Sequence, residues 1–304
     1  MPAKKAPAKA PAKAAPRLPR KAALAEAPAP PKVPERPVAP TFRTPAVKAP
    51  AGPPIVARAE NLHKWYGKVH ALDGVNIDVH KGEVVGFLGP NGAGKTTFTK
   101  CLLGFIKPTG GTVQLFGRQV RDGGEAALAK VGLVPDQYDF YPLLTGRQVL
   151  DYYARLYRVP DAEREQRIDE VLRLVGMTEH AGRRVREYSH GMKQRLCIGQ
   201  ALVNRPEFII FDEPTNGLDP RGAYETRELI KQLSKQGTTI FLSSHILTEV
   251  EQVCTRVAIL SRGRILVQSS VAELRKKLRG NVARVRITLE NPALGAQSLP
   301  LDKG

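Results

Sequence analysis

A glycine-rich turn at residues 89–97, GPNGAGKTT, restricts the possible folds of this chain more than any other segment does. It directly follows the apolar run VVGFLG (84–89) and leads into a predicted helix, so a strand, a tight loop and a helix come in succession. Backbone N–H groups converge in such a turn, and the helix start adds partial positive charge, which together favour a bound phosphate. We therefore predict a phosphate loop, and a glycine turn without a ligand is the less favoured alternative.

The pattern of this loop assigns roles to its side chains. Lys95 is expected to reach the β- and γ-phosphates of a nucleotide, Thr96 to ligate magnesium through its hydroxyl, and Thr97 to reach the α-phosphate. The nucleotide-binding residues expected from the loop are Gly89, Pro90, Asn91, Gly92, Ala93, Gly94, Lys95, Thr96 and Thr97.

From residue 55 onward, short apolar runs alternate with predicted helices. The runs are rich in β-branched and aromatic residues, as is typical of strands buried on both faces of a parallel sheet. This alternation predicts an α/β fold with a doubly wound, mostly parallel core. Strands are expected at 84–89, 208–212, 238–244 and 256–260, and helices at about 94–105, 189–204, 219–235 and 246–254.

Three further segments depart from that alternation. Residues 55–83 have the pattern of antiparallel strands, which predicts an antiparallel β subdomain. The stretch 145–185 is expected to be helical throughout apart from a break at Val159-Pro160, which predicts an all-helical insertion, a subdomain of about residues 138–190. Residues 282–290 alternate like one more strand, before a polar tail.

Two adjacent carboxylates, Asp212 and Glu213, follow the apolar run FIIF. An acidic residue at the end of a buried strand that faces a phosphate loop is placed to hold magnesium. Its neighbour can orient and polarise an attacking water molecule. The alternative is an ordinary polar strand end.

Another helix begins within YSHGMKQRL, residues 188–196. Ser189 fits as its N-cap, and the spacing of Met192, Leu196, Gly199 and Val203 predicts one buried stripe. From these residues alone a capped helix is the favoured interpretation, and a helix start that binds an anion is the alternative.

The net charge of +18 is unevenly distributed, because residues 1–54 hold eleven Lys or Arg residues against Glu26 and Glu35. The same segment holds 15 of the 25 prolines and few large apolar residues, which predicts a disordered, partly polyproline-II arm. Contact with anionic lipid is one expectation for this arm, and a solvated spacer without a dedicated partner is the other.

Several classes of protein are disfavoured by composition. The three cysteines have no paired spacing, which suits a reducing cytoplasm. The arm lacks the apolar core of a signal peptide, and no apolar run approaches the roughly 18–20 residues of a membrane helix. The six histidines form no i, i+4 pair and have no nearby cysteine, so zinc is not expected.

From about residue 55 to 275, the order and spacing of the motifs resemble the ATP-binding-cassette (ABC) ATPases. The resemblance rests on the phosphate loop, VPDQ (134–137), the signature loop YSHGM (188–192), Asp212-Glu213, GLDP (217–220) and SSH (243–245). It implies that ATP and Mg²⁺ are bound. The site residues that it implies are Tyr66 for the adenine, Gln137 with Thr96 and Asp212 for magnesium, Lys95, Glu213 and His245 for catalysis, Asp219 for the nucleotide site, and Ser189 and Gly191 for a nucleotide held by the other subunit.

The signature loop departs from the commonest Leu-Ser-Gly-Gly-Gln form, because His190 and Met192 replace the first glycine and the glutamine. This variant resembles the one found in ATPase subunits of export-type (ABC-2-like) systems, whose membrane domain is a separate chain. A solvated His190 is favoured over a catalytic one. Tyr66 also fits a simple strand aromatic, and Asp219 also fits an N-cap.

The resemblance implies an ATP-hydrolysing transporter subunit, of export type, that drives a separate membrane-spanning permease. Two ATPase subunits, as a homodimer or a heterodimer, would enclose two ATP molecules in the cytoplasm, peripheral on the inner face of the cell membrane. The expected domains are a basic arm (1–54), the ATPase domain (55–280), and a strand with a polar tail that begins an accessory extension (281–304).

A soluble ABC ATPase that acts on nucleic acid or ribosomes is the alternative function, and the basic arm favours it. The repair type carries long coiled coils between phosphate loop and signature loop, for which the chain has no room. The ribosome-associated type carries two cassettes, whereas the chain has one phosphate loop. A degenerate scaffold is disfavoured because Lys95, Asp212, Glu213 and His245 are all present.

Overall fold

The computed structural model describes residues 53–121 and 124–280. The predicted arm, apart from its last two residues, and the predicted strand and tail at 281–304 lie outside the described residues. The strands found in the described part are β1 (Ile55–Tyr66), β2 (Val69–His80), β3 (Val84–Leu88), β4 (Gly110–Leu115), β5 (Arg118–Gln119), β6 (Val131–Val134), β7 (Phe208–Asp212), β8 (Thr239–Ser244), β9 (Arg256–Ser261) and β10 (Arg264–Ser270). The helices are α1 (Lys95–Leu102), α2 (Glu125–Leu128), α3 (Gly146–Leu156), α4 (Asp161–Leu174), α5 (His190–Leu202), α6 (Pro220–Lys235), α7 (Leu247–Val253) and α8 (Val271–Gly280).

The larger sheet has the strand order β10-β9-β3-β8-β7-β6. Its strands are parallel except at the edge, where β10 pairs with β9 in the antiparallel direction. Every residue of β3, β7 and β8 is buried, because helices and the second sheet cover both faces. The predicted α/β class and the four predicted buried strands are confirmed.

The register of this sheet brings the ends of three strands together. Leu88 at the end of β3 pairs with Ser244 of β8, and Ser243 pairs with Asp212 at the end of β7. Because the carboxyl ends of parallel strands meet at one edge, the loops that follow β3, β7 and β8 converge there. This register places the phosphate loop beside Asp212.

The smaller sheet has the order β2-β1-β4-β5, and its strand pairs are antiparallel. Strands β1 and β2 form a hairpin in which Tyr66 pairs with Val69 and Trp65 with His70. Gly67, between them, has φ of +55°, which glycine adopts without steric cost. The antiparallel arrangement predicted for residues 55–83 is confirmed.

The helical insertion contains α3 and α4, which pack on α5. Helix α3 starts with a capping box, in which Thr145 and Gln148 each satisfy the other's backbone N–H. The break predicted at Val159-Pro160 is confirmed, because α3 ends at Leu156 and α4 starts at Asp161. The prediction of helix up to residue 185 is wrong, because α4 ends at Leu174 and only short 3₁₀ turns follow at Thr178–His180 and Val185–Glu187.

Helix ends and short elements account for the other differences. Helix α1 stops at Leu102 rather than at 105, since Gly104 takes a left-handed conformation with φ of +73°. Gly176, with φ of +65°, ends α4 in the same way. The sequence did not predict β4, β5, β6, β10, α2 or α8, most of which are short or lie at a sheet edge.

Candidate functional site

The phosphate loop joins β3 to α1, and two of its glycines are required by close packing. A Cβ atom on Gly89 would lie 2.4 Å from the carbonyl oxygen of Leu260. Gly94, the N-cap of α1, has φ of +111°, and a Cβ there would lie 2.5 Å from the carbonyl oxygen of Ala71. Both positions exclude a side chain, so the glycine pattern is a packing requirement as well as a signal of phosphate binding.

The Lys95 side chain folds back over this loop and is only 6% exposed. Its Nζ donates to the carbonyl oxygens of Gly89 at 2.6 Å and Pro90 at 3.3 Å. The same ammonium lies 3.1 Å from Oε1 of Glu213. The loop therefore holds a cation directly opposite the carboxylate that follows β7.

Glu213 occupies an unusual backbone conformation, with φ of +50°. Its N–H donates to the carbonyl oxygen and the hydroxyl of Ser243, at 3.1 and 3.2 Å, which fixes that conformation. Strained residues of this kind cluster at functional sites. Oε2 of Glu213 lies 2.9 Å from Nδ1 of His245, so the carboxylate lies between Lys95 and His245. The three candidate catalytic residues are thus brought together.

Asp212 is 6% exposed and accepts a hydrogen bond from the hydroxyl of Ser243. Burial raises the pKa of Asp212 above its ordinary value, and the nearby carboxylates of Glu213 and Asp136 raise it further. The hydrogen bond from Ser243 acts in the opposite direction, as does the nearby Thr96 hydroxyl. A buried carboxylate among other carboxylates gains most from a bound cation.

Asp212 and Thr96 fit a magnesium site by the chemistry of their donors. Both offer oxygen atoms, the ligand type that Mg²⁺ prefers, and Thr96 lies close enough to the Asp212 carboxylate to lower its pKa. Gln137, the third predicted ligand, is exposed. Among the hydrogen bonds of the described residues, none joins Gln137 to Thr96 or Asp212. Its role as a ligand stays a prediction.

Gln137 lines a groove of about 430 Å³ with Tyr138, Arg186, His190 and Lys193. The preceding residue, Asp136, accepts a hydrogen bond from Nδ2 of Asn216 at 2.9 Å. Gln137 therefore lies between the catalytic edge of the sheet and the start of α5, but outside the Lys95–Glu213–His245 group.

Tyr66 lies at the end of β1 and is 46% exposed. The ammonium of Lys64 lies 5.0 Å from the centre of its ring. An exposed ring can stack on a base, so the position suits the predicted adenine contact, which stays a prediction.

The signature loop starts α5, and Ser189 is its N-cap, accepting from the N–H of Met192 at 3.3 Å. A Cβ on Gly191 would meet open space, so close packing does not require glycine there. Ser189, His190 and Gly191 line a cavity of about 490 Å³ together with Asp219. The residues lining that cavity include none of the phosphate loop. One chain therefore presents the phosphate loop and the signature loop at separate places.

Two residues near the signature loop have clear structural roles. Asp219 caps α6, accepting from the N–H of Gly222 at 2.9 Å, with Pro220 in the first turn. His190 is exposed, and its Nε2 lies 3.5 Å from the carbonyl oxygen of Asn216.

The sequence interpretation did not single out Ser243, Asp136 or Gln194. Ser243 contacts both Asp212 and the N–H of Glu213, and Gln194 is buried against Pro214. A signal for Ser243 was available, because it lies in the SSH motif at the end of a predicted buried strand. Asp136 lies in VPDQ and Gln194 in YSHGMKQRL, but neither stretch assigned a role to these two residues.

Within the described residues, we find no helix whose length and apolar character would let it span a membrane.

Comparison with known proteins identifies a family model, described as ABC transporter, that matches residues 72–216. An uncharacterised ABC transporter ATP-binding protein of Synechocystis sp. is 46% identical over 209 residues, which are 68% of this chain and 58% of that protein. The bacitracin transport ATP-binding protein of Bacillus licheniformis is 42% identical over 225 residues, 74% of this chain and 72% of that protein. The linearmycin resistance ATP-binding protein of Bacillus subtilis is 37% identical over 224 residues, with the same coverage of 74% and 72%. The chain thus spans less than two thirds of the Synechocystis relative.

Solved structures share the fold. The ATP-binding subunit of an ABC transporter superposes with a TM-score of 0.67 at 30% identity, over 75% of this chain and 95% of that one. A dimeric ATP-binding cassette in a post-hydrolysis state, bound to ADP and Pi, superposes with a TM-score of 0.64 at 27% identity, over 71% of this chain and 98% of that one.

Proposed function

The chain belongs to the ABC transporter family, as an ATP-binding subunit, and we propose that it hydrolyses ATP at a site shared by two subunits and thereby drives a separate membrane-spanning permease of export type. The observation that carries this proposal is the position of the Glu213 carboxylate, 3.1 Å from Lys95 and 2.9 Å from His245, at the end of the strand beside the phosphate loop. A phosphate group bound at this place would have an ammonium, an imidazole and a carboxylate around it.

The proposed reaction is in-line attack of water on the γ-phosphorus of ATP. Backbone N–H groups of the phosphate loop and the Lys95 ammonium bind the β- and γ-phosphates. These phosphates compete with Glu213 for Lys95, so the Glu213 carboxylate becomes available to polarise the attacking water. His245, hydrogen-bonded to Glu213, would contact the same γ-phosphate.

Magnesium bound by Thr96 and Asp212, with Gln137, would supply positive charge that offsets the charge on the phosphate oxygens. The protein side of this arrangement is supported by the burial of the Asp212 carboxylate at the end of β7, at the sheet edge where the phosphate loop with Thr96 lies. Ser243 holds that carboxylate from the adjacent strand, so the ligand is positioned before a cation binds.

A shared site is proposed because the signature loop offers free hydrogen-bond donors away from the phosphate loop of its own chain. Ser189, the N–H of Gly191 and the start of α5 would bind the γ-phosphate of ATP held by a second subunit. The dimeric cassette that this chain resembles supports such an arrangement. Tyr66 would stack on the adenine, and Asp219 would face the partner subunit.

Export is proposed from the relatives. The names of two of them describe bacitracin transport and linearmycin resistance, which fit removal of a compound from the cell. The chain would act in the cytoplasm at the inner face of the membrane, with the permease as a separate chain. A multi-span membrane protein encoded next to this chain would support transport rather than a soluble role.

The test of the proposed chemistry is Glu213→Gln. This variant keeps the size of the side chain but removes its negative charge, so ATP binding should persist while turnover falls by at least about 100-fold. ATP that is bound but not hydrolysed should then hold two subunits together. Sizing chromatography with ATP and magnesium should show this dimer. The control is Glu207→Gln, just before the same strand, where Glu207 pairs with the half-exposed Lys130. Wild-type turnover in Glu213→Gln, or a strictly monomeric variant, would contradict the proposal.

A further inference from the structure

His63, His70 and Asp73 converge at the β1–β2 hairpin, outside the residues used above. Nδ1 of His63 lies 3.3 Å from Nε2 of His70 and 3.6 Å from Oδ1 of Asp73. Nδ1 of His70 lies 3.6 Å from Oδ2 of Asp73. In residues 53–121 and 124–280, these are the one group of three or more His, Cys, Asp or Glu side chains whose ligand atoms all lie within 4.8 Å of one another.

The two separations measured from Nδ1 of His63 match those of ligands around one metal ion. Zinc binds imidazole nitrogen and carboxylate oxygen at about 2.0–2.2 Å, which places two ligand atoms of a tetrahedral site about 3.3–3.5 Å apart. The observed 3.3 and 3.6 Å differ from this by a few tenths of an ångström at most. Because His70 turns Nε2 to His63 and Nδ1 to Asp73, only one of its nitrogens would be a ligand, and the His70 ring or the Asp73 carboxylate would turn to complete the set.

A second contact orients His63 as a ligand. Its other nitrogen, Nε2, lies 3.1 Å from Oδ1 of Asn61, which is an acceptor. A proton on Nε2 completes this hydrogen bond and leaves the lone pair of Nδ1 facing His70 and Asp73. Metal-binding histidines commonly donate their second N–H to a carbonyl or carboxylate in this way, which fixes the tautomer.

The three side chains have one hydrogen-bond donor too few for their close contacts. A neutral His70 has a single N–H, but it faces the lone pair of His63 on one side and the Asp73 carboxylate on the other. If Nε2 of His70 carries the proton, the lone pair of its Nδ1 faces the Asp73 carboxylate. If Nδ1 carries it, the lone pair of Nε2 faces that of His63. A metal ion among the three ligand atoms removes this repulsion, as does a second proton on His70.

The scaffold holds Asp73 in place. Its N–H donates to the carbonyl oxygen of Gly263 at 2.8 Å, and its Oδ2 pairs with the largely exposed Arg264. Oδ1 faces His63, so one carboxylate oxygen remains for a metal. The side chains of His63, His70 and Asp73 are 30%, 23% and 20% exposed, which gives an ion access from solvent.

We propose that His63, His70 and Asp73 form a binding site for Zn²⁺ or a neighbouring divalent ion such as Co²⁺ or Ni²⁺. Two imidazoles and one carboxylate suit these metals better than the hard ions Mg²⁺ and Ca²⁺. The site ties β1 to β2 close to Tyr66, at the end of the hairpin. It is independent of the proposed ATP hydrolysis, because none of its ligands belongs to that site.

The chain contains its own probe for this site. Trp65 is the single tryptophan of the sequence, and its ring stacks on His70 with centroids 3.8 Å apart and planes 9° apart. Nickel bound to the cluster should quench the fluorescence of Trp65, and zinc, which has a filled d shell, should displace nickel and restore the emission. The full chain is used without a histidine tag, and millimolar magnesium is included so that the Asp212 site does not contribute.

The decisive measurement is calorimetric titration with zinc, expected to give one ion per chain. His63→Ala and Asp73→Asn should each weaken zinc binding by at least about 10-fold and abolish the quenching by nickel. The matched control is His80→Ala, since His80 lies on β2, the strand of Asp73, but contacts the carbonyl oxygen of Pro53. If His63→Ala does not fold, the zinc titration of Asp73→Asn decides, because this variant keeps the size of the side chain.

Saturable zinc binding that the two variants lose and the control keeps supports the site. The proposal is overturned if the wild-type chain binds no zinc, or if His63→Ala or Asp73→Asn binds it as tightly as His80→Ala does. A Trp65 signal that changes with pH and not with zinc would show that a second proton on His70 balances the cluster, which also overturns it.

Discussion

Gln194 donates a hydrogen bond from its buried side-chain amide to the carbonyl oxygen of Pro214, 2.9 Å away. Gln194 belongs to α5, the helix that Ser189 caps, and Pro214 directly follows Glu213. This bond joins the signature helix to the segment that carries the Glu213 carboxylate within one chain. A movement of α5 can therefore act on the position of Glu213.

We predict that Gln194→Met lowers the free energy of unfolding by about 1–3 kcal/mol, because the carbonyl oxygen of Pro214 is left buried without a partner. The turnover number should fall while ATP binding changes little, since the hydrogen bond of Gln194 goes to the residue after Glu213 and not to the phosphate loop. Urea unfolding and steady-state hydrolysis measure the two effects. Gln200→Met is the control, because Gln200 lies on the same helix and bonds the Tyr157 hydroxyl. Equal effects of both variants on turnover would contradict a role for the Pro214 contact.

If Ser189 binds the nucleotide of another subunit, two defects should complement. Lys95→Ala loses the phosphate contact, and Ser189→Arg blocks the start of α5 with a bulky cation. In a mixed dimer one site carries both defects and the other carries neither. The mixture should therefore recover part of the single-turnover hydrolysis that each variant lacks alone.

Single turnover is the appropriate measurement because two sites that must alternate could hide one intact site at steady state. Sizing chromatography should first establish that mixed dimers form. A mixture that dimerises and still hydrolyses nothing would assign Ser189 to its own chain, where it is only the cap of α5.

The third prediction concerns the ion pair between Glu83 and Arg256, which ties the start of β3 to β9. Oε1 and Oε2 of Glu83 accept from Arg256 at 2.6 and 3.0 Å. Burial raises the pKa of Glu83, but hydrogen bonds from Arg256 and the His80 N–H, together with the positive charge of Arg256, hold the pKa below its ordinary value of 4.5. A lowered pKa in the folded chain means that the ionised carboxylate stabilises the fold above pH 4.5 and that this stability is lost as the pH falls through the folded-state pKa.

Glu83→Gln should therefore lower the free energy of unfolding by about 2 kcal/mol at neutral pH. The difference from wild type should disappear in acid, where both side chains are neutral. Urea unfolding from neutral pH down to below the pKa of Glu83 measures this. Glu228→Gln, at an exposed pair with Lys231, is the control and should change little. A difference that stays constant with pH would contradict the assignment to the Glu83 charge.

The basic segment 1–54 gives the fourth prediction. If it contacts anionic lipid, with each Lys or Arg near the surface contributing about 1 kcal/mol, deletion of residues 1–50 should reduce sedimentation with anionic vesicles at low salt. Neutral vesicles are the control, and added salt should weaken the wild-type binding. Unchanged sedimentation after the deletion would leave the segment as a spacer, and tight, selective DNA binding would favour the nucleic-acid function instead.

The sequence alone determined the elements whose causes are local. Neighbouring residues are enough to predict the glycine turn before Lys95, the apolar runs at β3, β7, β8 and β9, and the caps of α5 and α6. These predictions are confirmed. Local signals were weaker where tertiary packing decides the outcome. The chain between Leu174 and Ser189 carries a helical pattern, but Gly176 and packing against α5 end the helix early.

Only the tertiary structure decided which distant side chains meet. The alignment of Asp212 with Ser243 depends on the register of β7 against β8, and the Glu213–His245 and Gln194–Pro214 contacts join segments far apart in the chain. In the sequence, no two histidines lie four residues apart, as they would on one face of a helix, and none has a nearby cysteine. His63, His70 and Asp73 instead meet across a hairpin, which residue spacing does not show. Residue spacing in the sequence shows which side chains are neighbours along one helix or strand. The register between strands is set by the burial of the whole sheet, which spacing does not show.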